Sequence, residues 1–285
     1  MKVIGSGNQI FVGTLQSARD IVAHREMLGL LVRRDIKARY KDSALGLVWT
    51  LVRPLTQLLI YSLILGEILG AARAIPDFAI FVFLGLTAYG LFSEIVGGAT
   101  ASIVGNSGLI KKIYLPREIF PLSSVGSALF NFAIQLAILF IATLAIGKPA
   151  ITIDLLYVIP SILVLVIYGT ALGLLLSATN VYLRDIQYLV EVILLIMLWA
   201  SPIVYSWELV RDKAGAGLLL DIYTSNPVTL AVLGFQKAFW IGGAASEHPA
   251  QLLLRLAIAI VIGLILLVVF QRVFARLQGN FAQYL

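Results

Sequence analysis

Residues 155–178 read LLYVIPSILVLVIYGTALGLLLSA, 24 consecutive positions without a charged side chain. A helix of ~20 apolar residues is long enough to cross the ~30 Å hydrocarbon core of a bilayer. Five further long apolar stretches lie at 48–69, 78–98, 120–146, 186–205 and 252–274. A soluble domain of 285 residues has no interior large enough to hide them all. Inside hydrocarbon every backbone amide and carbonyl must be satisfied within its own segment, so the stretches should be helices. The expected fold is an all-α integral membrane protein with six transmembrane helices.

Composition agrees. Hydrophobic residues make up 60% and charged residues 13% of the chain, against roughly 25% charged in an ordinary soluble domain. A transmembrane barrel would alternate apolar and polar residues, and runs such as LLLVVF near the last stretch do not. The absence of cysteine excludes disulfides, iron–sulfur clusters and thiolate zinc sites. The net charge of +6 is read through where the charges fall along the chain, since nucleic-acid binding would need a soluble basic surface.

Those charges predict orientation. Eight Lys or Arg fall in the first 47 residues, three in 99–119 (Lys111, Lys112, Arg117), one at Arg184 and two at Arg272 and Arg276. The alternate connections hold five: Arg73, Lys148, Arg211, Lys213 and Lys237. The positive-inside tendency then places both termini in the cytoplasm. The opening residues lack an apolar core followed by a small-residue cleavage site, so the first span should direct insertion itself.

Residues 1–47 divide from the six-span region 48–285 as an amino-terminal segment with a helical pattern. Ile21, Leu28, Leu31, Val32 and Ile36 share one side of a helical wheel, and Glu26, Arg33, Arg34, Lys37 and Lys41 the other. Arg25 and Arg39 intrude on the apolar side, and Leu30 breaks the polar one. Such a helix suits the membrane interface, with its apolar face in acyl chains, either as a topology anchor alone or with a further role. The outer connection 207–250 carries two short apolar runs, 218–223 and 228–241, separated by Ser225, Asn226 and Pro227. Pro227 fits the first turn of a helix capped by Asn226 or Ser225. Re-entrant helices or an amphipathic surface loop both match this pattern.

Signals for chemistry are sparse. No phosphate-binding G-x-x-x-x-G-K-[ST] loop exists, and only His24 and His248 are available to a histidine-based site. The chain is expected to be non-catalytic. Glu94 and Glu191 fall near span ends and Glu67 at the edge of the first span, leaving an ion-coupled carrier as one alternative. Tyr61, Tyr89, Phe92, Tyr168 and Trp199 lie deep in spans, where they either pack between helices or face a hydrated pathway. Gly97, Gly98, Gly169 and Gly173 suit close helix packing.

Five segments together resemble the permease subunits of bacterial ABC exporters of polysaccharides. They are RRDIKARYKDSALGLVW at 33–49, with an R-Y-x-x-S-x-L-G-x-x-W pattern leading to Pro54; KKIYLP at 111–116; NVYLRDI at 180–186; SPIVY at 201–205; and YTSNP at 223–227. The resemblance implies the transmembrane subunit of an exporter for O-antigen, capsule, teichoic acid or a related cell-wall glycan. The substrate would be a lipid-linked polysaccharide moved from the inner to the outer face of the bacterial cytoplasmic membrane. Two copies of the chain, a homodimer, would pair with two copies of a separate ATP-binding subunit that holds ATP and Mg. By the same resemblance the basic amino-terminal helix and the connection 106–115 couple the ATPase to the membrane helices. Arg33, Arg34, Lys37, Arg39, Lys111 and Lys112 would contact either that subunit or the lipid pyrophosphate. Tyr61, Phe81, Tyr89, Phe92, Tyr168 and Trp199 are candidate channel-lining aromatics. The short helices at 218–241, with Asn226, Pro227 and Phe235, would form an outer gate. The loop between the third and fourth stretches is brief, leaving no room for an added outer domain. A secondary transporter and a non-transporting membrane assembly factor stand as alternatives.

Overall fold

The computed structural model describes residues 13, 16–17, 19–40, 48–112, 115–145, 152–215, 217–240 and 248–285. Lys41, positions 42–47 of the amino-terminal motif, Tyr114, Lys148 and the last position of 218–241 lie outside the described residues. Helices dominate, and the described residues contain no strand. The main ones are α1 (Arg25–Tyr40), α2 (Trp49–Tyr61, continued by a π-helical stretch Ser62–Ile68), α3 (Phe78–Gly105), α4 (Ile119–Ala145) and α5 (Val158–Tyr182). They continue with α6 (Ile186–Trp199), α7 (Trp207–Ala214), α8 (Leu218–Ser225), α9 (Pro227–Phe239), α10 (Leu252–Leu277) and α11 (Phe281–Tyr284).

Length and composition qualify four helices to cross a membrane: Phe78–Gly105, Ile119–Leu144, Ile153–Tyr182 and Leu252–Asn280. Counting the bent pair α8–α9 as one span makes five. The protein is therefore an integral membrane protein. The remaining two expected spans are shorter as apolar helices, Leu55–Ile68 and Ile186–Trp199. At 1.5 Å per residue, the 14 residues of α6 rise only about 21 Å. The reason is local: Pro202 has no N–H to extend the helix. Ser201 Oγ donates back to the Met197 carbonyl at 3.0 Å instead.

The bundle is built around α3. Its apolar window is 78% buried, against 22% for α10, so α3 is central and α10 peripheral. Helices α4, α5 and α9 surround α3, and α10 lies along α5. Gly169 and Gly173 are buried in the α3–α5 seam, where Ile95 and Ala99 meet them. A second cluster at the other end joins Leu31 of α1 to Ile103, Phe120, Phe274 and Phe281.

The connection after α6 folds into the bundle through α9. Helices α8 and α9 bend by 76° at Asn226, whose Oδ1 accepts from the Val228 amide at 3.0 Å and caps α9. Nearly every residue of α9 is buried within the bundle. Gln236 Nε2 donates to the Pro202 carbonyl at 2.7 Å, and Trp240 Nε1 donates to the Pro76 carbonyl at 2.7 Å. Lys237 stands 3.8 Å from Asp154. Of the two patterns compatible with the sequence, α9 is a helix packed within the protein rather than a loop on its surface.

Candidate functional site

The basic amino-terminal run acquires its geometry from α1 packing along α4, with Arg39 reaching Glu94 of α3. Leu31, read from the sequence as facing acyl chains, is 4% exposed and packed on protein. Val32 fits against Gly126 of α4, where a Cβ on the glycine would stand 2.6 Å from Val32 Cγ2. Only a residue without a side chain permits that approach.

Polar contacts follow the same seam. Arg34 grips Asp35 through Nε at 3.0 Å and Nη2 at 2.7 Å, and Nη2 also donates to Asn106 Oδ1 at 2.8 Å. Ser123 of α4 donates through Oγ to Asp35 Oδ2 at 3.0 Å. Arg39 pairs with Glu94 of α3, and Asn131 Nδ2 of α4 donates to the same Glu94 oxygen at 2.6 Å. Arg33 and Lys37 are exposed and have no carboxylate partner among the described residues. Lys111 and Lys112 are exposed in the turn after the short helix Ser107–Ile110. The sequence singled out the arginines and Glu94 but missed Asp35, Ser123 and Asn131 as their partners. Asp35 is the one acid inside the basic run 33–41, and Asn131 is an amide in an apolar stretch; both were available as signals.

Near the same end Glu118 is buried at 4% exposure, with Gln278 Nε2 donating to its Oε1 at 3.4 Å. Burial pushes its carboxyl above the ordinary carboxylate range, and nearby Asp20 adds to the rise. A main-chain amide and the amides of Gln278 and Gln271 pull partly the other way.

The six aromatics separate by environment. Phe81 and Phe92 are buried in the core, Phe81 edge-on to Trp240 at 4.8 Å between ring centroids. Tyr89 is buried and donates its hydroxyl to the Leu194 carbonyl. Tyr168 is half-buried against α10 at Gly263. Tyr61 and Trp199 meet edge to face at 6.4 Å on a side of the bundle where Trp199 is 49% exposed. Pro227 opens α9. Phe235 is fully buried, packed edge-on against Phe132 of α4 at 5.9 Å.

An apolar helical bundle with a basic, partly fastened helix at one end has the architecture of an integral membrane protein. Residues 26–240 match the family described as ABC-2 type transporter, and the chain belongs to that family. It is 29% identical over 247 residues to the O-antigen export system permease protein RfbA of Myxococcus xanthus, covering 86% of this chain and 92% of that one. It is 26% identical over 261 residues to the protein of the same name from Klebsiella pneumoniae, covering 91% and 95%. The polysialic acid transport protein KpsM of Escherichia coli is 25% identical over 181 residues, covering 61% and 68%.

Proposed function

We propose that this chain is the transmembrane subunit of an ATP-driven exporter that moves a lipid-linked polysaccharide from the inner to the outer face of a bacterial cytoplasmic membrane. The observation carrying this reading is similarity over 86–91% of the chain to O-antigen export permeases, within a family match spanning both the basic helix and the bent α8–α9 pair. The chain supplies no nucleotide-binding loop, so ATP and Mg belong to a separate ATP-binding subunit. Two copies of each chain form the working assembly, embedded in membrane lipids and without nucleic acid.

The parts take distinct roles. Arg33, Lys37, Lys111 and Lys112 present a basic surface to the cytoplasm, suited to acidic groups of the ATP-binding subunit or to the substrate's pyrophosphate. Both termini lie on that side, as the distribution of Lys and Arg favours. Six crossings are completed by the 49–68 helix with its π-helical end and by α6 with the residues after it. Tyr61 and Trp199 offer aromatic faces for sugar rings along the pathway, and α8–α9 closes its outer end.

The test is a strain lacking this gene. Intact cells are treated with mild periodate and an aldehyde-reactive probe to quantify surface carbohydrate. Loss of the signal, restored by the gene, with the protein co-purifying with the neighbouring ATP-binding subunit, is expected. An unchanged surface signal would overturn the exporter reading.

A further inference from the structure

We infer that the cleft where α2 ends and α3 begins binds a phospholipid whose headgroup carries a primary ammonium and a phosphate. The ligand is a lipid of the surrounding bilayer, separate from the exported glycan. Only its leaflet, the outer one, rests on the orientation given above.

The backbone makes the cleft. Residues Ser62–Ile68 continue α2 as a π-helix, a rare form that is frequent at functional sites. The chain then reverses at Gly70, whose φ of +78° is one that glycine adopts without strain. It passes through a single turn, Ala71–Ala74, and enters α3 at Phe78. Buried Gly66 lets the returning chain close in, since a Cβ there would stand 3.0 Å from Phe78 Cδ1 and 3.6 Å from Ala72 Cβ. The result is a cleft of about 260 Å³, with Ser62, Glu67 and Asp77 as its polar lining and Ala72, Phe78 and Ile80 as apolar wall.

That lining calls for a cation that donates hydrogen bonds. Ser62 Oγ is shielded from solvent and has no hydrogen-bond partner among the described residues. Glu67 enters no ion pair among the described residues, and with Asp77 it brings two carboxylates to one cleft. A metal ion fits poorly. The described residues hold no group of three or more His, Cys, Asp or Glu, whereas calcium takes about 6–8 oxygens. An anionic headgroup would meet two like charges. Drug-sized ligands occupy roughly 300–1,000 Å³, so the cleft suits a headgroup rather than a run of sugars. A primary ammonium carries three N–H donors, and its bonds to carboxylates are of the strong, charge-assisted kind.

The surroundings match the rest of the lipid. Arg73 is exposed, one residue beyond Ala72 of the cleft wall, and enters no ion pair among the described residues. Its guanidinium suits the phosphate, which it can hold through two parallel hydrogen bonds. Leu63, Ile64 and Ile68, beside Ser62 and Glu67 in the chain, are exposed and offer apolar surface to the acyl chains.

Native mass spectrometry of the purified full chain in detergent reads bound lipid directly. The probes are dihexanoyl phosphatidylethanolamine, phosphatidylcholine and phosphatidylglycerol at equal concentration. Phosphatidylcholine keeps the positive charge without an N–H, and phosphatidylglycerol lacks the cation. Phosphatidylethanolamine should bind about tenfold tighter than either, the difference expected of one hydrogen bond to a charged group. Glu67→Gln should remove that preference, while Glu191→Gln, which neutralises an exposed carboxylate on α6, should keep it. Arg73→Ala should weaken the ethanolamine and choline lipids alike. Both Glu67 and Arg73 are exposed, so their variants should melt with the wild type. Equal binding of the three lipids, or wild-type preference in E67Q, would overturn the site. Dimers carrying no lipid would assign the exposed aliphatic side chains to a second copy and overturn it equally. The readout needs no transport, so its failure leaves the exporter reading standing, whereas unchanged surface carbohydrate in the deletion strain overturns that reading alone.

Discussion

Gly234 of α9 and Ser161 of α5 meet so closely that a Cβ on Gly234 would stand 2.0 Å from Ser161 Oγ. That hydroxyl is held in place by donating to the Tyr157 carbonyl at 2.7 Å. Gly234→Ala should therefore destabilise the seating of α9 by about 1–3 kcal/mol, the usual range for overpacking. Adding Ser161→Ala should recover most of that loss, since the Ser161 Cβ alone would lie at 3.3 Å. Thermal unfolding of the four proteins in one detergent decides it. A double variant as unstable as G234A would place the clash elsewhere.

Glu118 makes stability depend on pH. Its carboxyl is raised from an ordinary value of 4.5 chiefly by burial, so folding favours the protonated form. Well below that value the group is protonated in both states and contributes no pH dependence. As pH rises, the unfolded chain ionises first, and stability is lost until the folded carboxyl has ionised too. The melting temperature of the wild type should fall relative to Glu118→Gln as pH climbs above the ordinary value. Parallel curves for the two proteins would remove burial of this carboxyl as the cause.

Phe81 and Trp199, both candidate lining residues, should respond differently to truncation. Phe81 is 1% exposed and packed on Trp240, so Phe81→Ala should cost about 3–5 kcal/mol and deplete the protein from membranes. Trp199 is 49% exposed, and Trp199→Ala should leave accumulation near normal while lowering surface carbohydrate. Quantifying both readouts in the same cells separates packing from pathway.

The bend between α8 and α9 depends on Asn226. Asn226→Ala removes the cap on the Val228 amide and should destabilise α9 by about 1 kcal/mol. Asn226→Asp keeps an acceptor at that place and should melt close to wild type. Equal losses for both would point to the amide nitrogen, which lies 3.8 Å from Met197 Sδ, rather than the cap.

Much of the fold was legible. The stretches 78–98, 120–146, 155–178 and 252–274 correspond to α3, α4, α5 and α10, because a long run of apolar residues is a local property that no partner needs to supply. The stretch 186–205 was read as one span, yet the helix ends at Trp199, since continuous hydrophobicity outweighed the proline at 202 in that reading. The burial of α9 was less visible. A 13-residue helix of mixed composition looks alike on a membrane surface or inside a bundle, and only its neighbours, Phe132 and Ser161 among them, distinguish the two.

Sequence by itself established a helical membrane protein with a basic amino-terminal arm, because backbone desolvation and charge distribution act through each segment's own residues. Tertiary structure alone sorted that arm's cations into those fastened to the bundle and those facing outward. Arg34 and Arg39 are the same residue type as Arg33, one to six positions away on one helix. What separates them is contact with Asn106 and Glu94, 72 and 55 residues along the chain, and side chains that distant are brought together only by packing of the whole bundle.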